Sequence, residues 1–320
     1  MESPMPELRE LEPVGVGLRV TTSPTQTAFY IILVLLGIVG NTTVIGVILD
    51  SVFKDPSGVR NSDIILMNMV LSNLLVSVLR NVLLVISDLG LEVRNGCHVL
   101  MGVWVWLRSV NVWSTLFLSA FHFQTLRRVA PPPGTVHGPR RPPKTLLISL
   151  GLIWFLNLIY IDNCDTLMLV SSTTRPLLGC VWNFPSSYNG LAYATTSMVI
   201  HEILPIILMA ITNLGSLYTL YTHGRTHNPA HMTQDAPVIK RIPAERRAAK
   251  VILALIMLFI GSWGTSIISI NYFNYNRGLS AGFLLVIARF ANTIFIAISP
   301  IVLALGHRRL RAVVKSFLTH

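Results

Sequence analysis

Charged residues are scarce in this chain: Asp, Glu, Lys and Arg make up 12% of its 320 residues, about half the fraction found in a typical soluble domain. A soluble globular fold is therefore not expected. Apolar residues make up 52% of the chain, and they form long runs between short stretches that hold most of the Pro, Lys and Arg. This pattern predicts an all-α protein that crosses a membrane several times.

Motifs for catalysis and for metal binding are missing as well. The sequence contains no Gly-rich phosphate loop, no Ser-His-Asp arrangement and no Cys/His cluster. His201-Glu202 resembles the start of a zinc-protease helix, but Pro205 stands where the second His is needed. We therefore expect no enzyme activity, no metal and no cofactor. The net charge of +11 is expected to face membrane lipid and acidic partner proteins rather than nucleic acid.

Seven apolar runs are long enough to cross ~30 Å of hydrocarbon at a rise of about 1.5 Å per residue. They lie at about 28–50, 63–87, 97–124, 145–163, 191–222, 248–272 and 281–305. The third and the fifth contain more polar residues than the others. The sequence thus predicts a seven-transmembrane helix bundle over 28–305, with an N-terminal segment at 1–27 and a tail at 306–320.

The basic residues between the spans predict the orientation, because cytoplasmic loops accumulate Lys and Arg. Of the 25 basic residues, 17 lie in one alternating set of connections, 5 lie in the other, and three lie inside spans. The N-terminus is therefore expected outside the cell and the C-terminus inside. The tail spaces its apolar residues on one helical face, which predicts a short amphipathic helix on the membrane.

The chain has three cysteines. Cys97 begins the third span at its outer end, and Cys180 lies in the outer loop between spans four and five, so an oxidising exterior permits a disulfide between them. The alternative is two unrelated thiols. Cys164 also lies outside and would compete for Cys97.

Four ionisable residues lie inside the spans, where each costs about 2.5–3.5 kcal/mol unless it meets a partner or water. They are Arg80, Arg108, Glu202 and Arg289. Helical rise places all four roughly 10–16 Å below the outer ends of their spans, in the outer half of the bundle. Three Arg against one Glu leave about two positive charges uncompensated, and an anionic ligand would compensate them.

Other polar residues share helical faces with these charges, since positions three and four apart are neighbours. The faces are Trp104, Arg108, Asn111 and Thr115 on the third span; Asn73, Ser77, Arg80 and Asn81 on the second; Ser262, Ser266, Ser269 and Tyr272 on the sixth; and Arg289, Asn292 and Ser299 on the seventh. Four polar faces predict a wet cavity that opens outward. We expect it to bind a small organic anion such as a carboxylate, whose apolar or aromatic body contacts Trp104 and Tyr272. The expected ligand-binding residues are Arg80, Trp104, Arg108, Asn111, Glu202, Tyr272 and Arg289.

Each charge also has a simpler explanation that involves no ligand. Arg80 would extend upward to the lipid headgroups. Glu202 would neutralise Arg108 as a buried pair that locks the third and fifth helices together. The excess of positive charge over the whole set is what favours a ligand.

Several landmark residues resemble those of rhodopsin-like receptors. They are Asn41, Trp154, Pro205 and Pro300 in spans one, four, five and seven, and the Cys97 and Cys180 pair. The departures from that class are more specific. Asn73 in Leu71-Ser72-Asn73-Leu74 replaces the usual Asp, which disfavours a sodium site, and Phe121-His122-Phe123 replaces the Asp-Arg-Tyr triplet. Ser299-Pro300-Ile301-Val302-Leu303 replaces Asn-Pro-x-x-Tyr, and the sixth span has no Pro.

This combination is similar to vomeronasal type-1 receptors and to the fish olfactory receptor class A-related family, which also tend to carry basic residues where Arg80 and Arg108 stand. The resemblance implies a chemosensory receptor for odorants or pheromones in the plasma membrane, activating a heterotrimeric G protein of the inhibitory or Go type. The implied G-protein contact residues are His122, Arg127, Arg128, Arg246 and Arg247. These Arg residues alternatively serve only to fix the topology.

Two other functions compete with this interpretation. A bitter-taste-type receptor also has seven helices and lacks the Asp-Arg-Tyr triplet, but such receptors generally lack the outer disulfide. An anion transporter would use the same buried charges, yet the chain shows no internal repeat.

Overall fold

The computed structural model describes residues 23–54, 61–88, 97–128, 144–165, 173–177, 180–184, 192, 195–226, 241–276, 282–306 and 310–311. Within these ranges the chain forms seven long helices and one two-stranded sheet. Six of the helices are α1 (Pro24–Lys54), α2 (Asn61–Asp88), α3 (Cys97–Arg128), α4 (Lys144–Asp165), α6 (Arg241–Asn276) and α7 (Gly282–Gly306). Helix α5 covers 195–226 and consists of a short α-helical start, the π-helical turn Val199–Ile203 and the α-helix Leu204–Thr226.

Five of these helices, α1, α2, α5, α6 and α7, are long and apolar enough to cross a membrane. Many of their large apolar side chains are exposed, as expected for groups that meet lipid rather than water; Leu35, Ile211 and Ile268 are examples. Within α4 the apolar stretch Lys144–Ile159 is shorter. Helix α3 is less apolar because its inward side carries many polar groups. The chain is thus a helical bundle of the membrane type, and α5 is more apolar than the sequence analysis implied.

Helix α3 is the central helix of the bundle, with contacts to α2, α4, α5, α6 and the second strand of the sheet. Many residues in its middle are therefore buried whether they are polar or apolar: Val110 and Ser114 are both completely inaccessible. Helix α7 packs on α6, α1 and α2. The core between the helices is built on Phe259, whose ring contacts those of Trp263 and Phe295 at 5.1 and 4.9 Å between centroids.

Two strands, β1 (Thr173–Leu177) and β2 (Cys180–Phe184), form an antiparallel hairpin in which Leu177 pairs with Cys180. This hairpin was not predicted from the sequence. Strand β2 contacts α3, and the two proposed disulfide partners begin β2 and α3. The side chains of Cys97, Cys164 and Cys180 lie outside the described residues, so the disulfide remains a prediction.

Pro300 explains a contact between α1 and α7. A proline inside a helix has no N–H to give to the carbonyl four residues earlier, which here belongs to Ile296. Asn41 on α1 supplies a replacement, because its Nδ2 donates to Ile296 O at 3.0 Å and also to Gly37 O at 2.7 Å. Asn41 therefore bonds to the carbonyl for which Pro300 has no N–H, which links two landmark residues of the sequence.

Pro205 has a comparable effect in α5. Its ring and its missing N–H disturb the α-helical bonding of the preceding turn. That turn is the π-helical segment Val199–Ile203, where the Leu204 N–H bonds to Val199 O, five residues back. A π turn holds one more residue than an α turn and often lies at a functional site. It sets the direction of Glu202, which lies inside it.

The terminal segments are described only in part. Residues 1–22 and 312–320 lie outside the described ranges, as do most of the two large loops at 130–144 and 223–247. The amphipathic helix expected within 306–320 is therefore not tested. Of that tail, Leu310 is buried, and Arg311 donates to Leu305 O near the end of α7.

Candidate functional site

Arg108 on α3 and Glu202 in the π turn of α5 form a salt bridge. The distance from Nη2 to Oε1 is 2.6 Å, and the two side chains are 16% and 17% exposed. This salt bridge is the buried pair expected if Glu202 serves only to neutralise Arg108 and to join the third and fifth helices, with no ligand involved. Because the two charges balance each other, Arg108 does not present a free positive charge.

Two tryptophans enclose the Arg108 guanidinium. Its Cζ lies 5.2 Å from the ring centroid of Trp104 and 5.5 Å from that of Trp263. Both indole N–H groups and the Arg108 Nε are buried and have no hydrogen-bond acceptor among the described residues. Buried donors normally find a partner. The surroundings of Arg108 are therefore balanced in charge but rich in donors, which suits an oxygen acceptor on a neutral group.

A second group of polar residues lies where α1, α2 and α7 meet. The Cζ of Arg289 on α7 is 4.0 Å from the ring centroid of Tyr30 on α1. The Tyr30 hydroxyl donates to Asn81 Oδ1 on α2 at 3.1 Å. Arg80 on α2 donates through Nη2 to the main-chain carbonyl of Arg289 at 3.4 Å. The Arg80 side chain is therefore directed at α7. It does not extend upward to the lipid headgroups.

These two arginines have no carboxylate partner among the described residues, where the ion pairs are Arg108 with Glu202 and Lys54 with Asp50. A cation–π contact contributes about 0.5–2 kcal/mol, and a hydrogen bond from a charged donor about 1.5–3 kcal/mol. An arginine inside a span costs about 2.5–3.5 kcal/mol. The contacts thus offset only part of the cost of each residue, and they leave both charges unneutralised.

Asn111 has a different surrounding from Arg108, although the two are one helical turn apart. Its Nδ2 donates to Asn73 Oδ1 at 2.6 Å and to Ser72 Oγ at 3.0 Å. Asn73 in turn donates to Ser299 Oγ at 3.4 Å. These four side chains are buried and bond α2, α3 and α7 to one another. Asn111 therefore belongs to a layer below the arginines.

Tyr272 is the member of the predicted set that stands apart. It is 58% exposed, whereas Ser262, Ser266 and Ser269 on its predicted face are buried. Trp104, which was paired with it as a contact for the body of a ligand, is 8% exposed and lies against Arg108. The structure thus brings Trp104 into the site and leaves Tyr272 at its margin.

Two further residues belong to the site, Tyr30 and Trp263. Each is an aromatic residue in a strongly apolar helix, where it looks like an ordinary core residue. Trp263 had one available signal, since it lies three residues before Ser266 on the polar face of α6. Tyr30 had none, because its role depends on how α1 is rotated against α7.

A groove of about 550 Å³ lies between α6 and α7, lined by residues that include Met257, Thr265, Ile287 and Phe290. It is open at the surface, and its lining contains none of the four ionisable residues. This groove is therefore not the outward-opening cavity that the polar faces predict. No group of three or more His, Cys, Asp or Glu side chains that could hold a metal is found in the described part of the chain.

The expected G-protein contact residues are described only in part. His122 is buried, and its Nδ1 has no hydrogen-bond partner among the described residues. Arg127 is exposed, with its Cζ 5.6 Å from the ring centroid of Phe123. The side chains of Arg128, Arg246 and Arg247 lie outside the described residues.

Comparison with known proteins identifies the family. No protein-family model matches the chain. The chain is 41% identical over 296 residues to olfactory receptor class A-like protein 4 of Danio rerio, and the match covers 88% of this chain and 86% of that protein. This likeness gives no support to a bitter-taste-type receptor or to an anion transporter. The chain therefore belongs to the fish olfactory receptor class A-related family.

Proposed function

We propose that this protein is a chemosensory receptor of the plasma membrane, with seven spans and an extracellular N-terminus, that detects a small organic anion such as a carboxylic acid. The observation that carries the proposal is the presence of Arg80 and Arg289 in the outer half of the bundle with no carboxylate partner among the described residues. Arginine suits this role, since its planar guanidinium binds a carboxylate through two parallel hydrogen bonds.

The seven spans and the orientation are supported by separate observations. Five helices are apolar enough to cross a membrane, and α3 lies enclosed among its neighbours, where its polar groups face protein rather than lipid. The basic residues outside the spans are concentrated in one alternating set of connections. This distribution supports a cytoplasmic location for the basic ends of α3 and α6 and for the adjoining end of α5.

The cytoplasmic ends of these helices are the proposed contact for a heterotrimeric G protein of the inhibitory or Go type. The residues proposed to take part are His122, Arg127, Arg128, Arg246 and Arg247. Exposed basic side chains such as Arg127 suit the acidic surface of a partner. His122 is proposed to act from inside the bundle, where a change in helix packing would expose it.

The test is a signalling assay in cells that express the receptor with an inhibitory-type G protein. The cells are exposed to a panel of matched carboxylic acids, alcohols and methyl esters that share the same alkyl or aryl body. Acids are expected to activate at concentrations at least about tenfold lower than their neutral partners, as one charge-assisted contact implies. Equal potency of acids and neutral compounds, or the absence of any response that pertussis toxin blocks, would contradict the proposal.

A further inference from the structure

The cations of the outer half lie in two different settings. Arg108 is matched by Glu202, whereas Arg80 donates to the main-chain carbonyl of Arg289 and the Arg289 guanidinium lies over the Tyr30 ring. We infer that the anionic group of the ligand binds between α1, α2 and α7, on Arg80 and Arg289, and not at Arg108. This inference rests on the proposed function, and it assigns Tyr30 of α1 to the ligand site.

Tyr30 is held as a fixed surface for the Arg289 guanidinium. Its side chain is 6% exposed, its hydroxyl is bonded to Asn81 Oδ1, and its ring meets Phe290 edge-on at 5.8 Å between centroids. Asn81 is fixed in turn, because its Nδ2 donates to Ser77 O at 2.6 Å. A guanidinium that lies on an aromatic face keeps its in-plane N–H groups free to donate.

Arg80 and Arg289 are brought close together by the main chain of α7. The Arg289 carbonyl accepts from Arg80 Nη2 at 3.4 Å and from Thr293 Oγ1 at 2.9 Å. Arg80 and Arg289 thus hold two positive charges on adjoining helices, and neither has a carboxylate partner among the described residues. The Arg289 Nε is buried without an acceptor among the described residues. A carboxylate bound here would accept from that donor set and relieve the repulsion.

The same anion would be opposed at Arg108. There it would meet the Glu202 carboxylate, 2.6 Å from the Arg108 Nη2, and two like charges in a poorly hydrated space repel each other strongly. The donors around Arg108 suit a neutral acceptor instead. The two settings therefore favour a ligand whose charged end lies toward α1 and α7 and whose uncharged part extends toward α3.

The experiment compares Arg80→Gln, Arg289→Gln and Arg108→Gln in the same signalling assay. The probes are octanoate and 3-phenylpropanoate, each paired with its primary amide, and the readout is the ratio of amide to acid half-maximal concentration within each receptor. Because both probes act on the same cells, differences in surface expression cancel in this ratio. Lys54→Gln is the matched control, since it removes a positive charge from an exposed pair with Asp50.

Arg80→Gln and Arg289→Gln are expected to lower the ratio by about 10- to 100-fold, the loss of one charge-assisted hydrogen bond. Arg108→Gln keeps donors for Glu202 and is expected to retain the acid preference, as is Lys54→Gln. The inference would be overturned if the preference for acid over amide survives in Arg80→Gln and Arg289→Gln but disappears in Arg108→Gln. If the unaltered receptor shows no acid preference, the proposed function itself has failed.

A charge reversal separates a ligand contact from a structural role. Arg289→Glu is expected to shift the response from the acids to octylamine and 3-phenylpropylamine, and Arg289→Lys is expected to keep a weakened acid preference. A residue that only supports packing gives neither result. Loss of all responses in both variants, with normal surface staining, would count against the inference.

Discussion

The buried polar groups of the outer half of the bundle differ from those of the layer just below it in whether they have hydrogen-bond partners. In the lower layer, Asn73 and Asn111 bond to each other and to neighbouring serines. In the outer half, Arg289 Nε and the indole N–H groups of Trp104 and Trp263 have no acceptor among the described residues. Complete bonding stabilises a single arrangement of helices. Donors left without acceptors are the feature expected of a site that receives something else.

The largest effect is expected from breaking the salt bridge between Arg108 and Glu202. Arg108→Ala leaves Glu202 largely buried without its partner, and loss of one member of such a pair costs about 3–5 kcal/mol of folding stability. The measurement is thermal unfolding of purified receptor in detergent. The double variant Arg108→Leu, Glu202→Leu is expected to recover most of the loss, because no lone charge remains. A double variant as unstable as the single one would show that packing, rather than charge, was lost.

The next effect tests the lower layer. Asn111→Ala removes both bonds that this side chain donates, and leaves Asn73 Oδ1 and Ser72 Oγ short of a donor, at a cost of about 1–3 kcal/mol. Thermal unfolding is again the measurement. The ratio of amide to acid half-maximal concentration is expected to stay within about threefold of the unaltered receptor, since the bonds that the Asn111 side chain donates among the described residues go to Ser72 and Asn73 and not to the arginines. A large change in that ratio would erase the distinction between the two layers.

The smallest effect sharpens the account of the outer half. Tyr30→Phe removes the hydroxyl bonded to Asn81 and keeps the ring under Arg289, so stability is expected to fall by only about 0.5–1.5 kcal/mol. Acid potency is expected to change by less than about threefold. Tyr30→Leu, which removes the aromatic face, is the matched contrast and is expected to weaken acid potency further. Equal acid potency in the Phe and Leu variants would show that the Tyr30 ring takes no part in the site.

The sequence predicted much of the architecture, because hydrophobic length is a property of the chain alone. The seven predicted runs agree with the helices to within a few residues for most boundaries. Helix α6, Arg241–Asn276, begins seven residues before its predicted run at 248–272. Depth along a helix was also predictable. Arg108 and Glu202 were placed at the same level, and they do meet.

Contacts across helices were harder to predict, because they depend on how each helix is rotated about its axis. A polar face spaced at three and four residues gives the inward direction, which was right for Asn111 and Ser266. It does not say which face lies opposite, so the Arg289 contact with Tyr30 was not foreseen. Tyr272 follows the same spacing and is nevertheless exposed, since the end of a helix has fewer neighbours than its middle.

The π turn before Pro205 has one further consequence. Successive residues of a helix are rotated by about 100°, so one surplus residue in a turn redirects everything on its far side while the rest of the helix stays in place. Deleting Ile203 would therefore rotate the part of α5 that precedes it and would carry Glu202 away from Arg108. The number of residues in this turn therefore sets the direction of the Glu202 carboxylate.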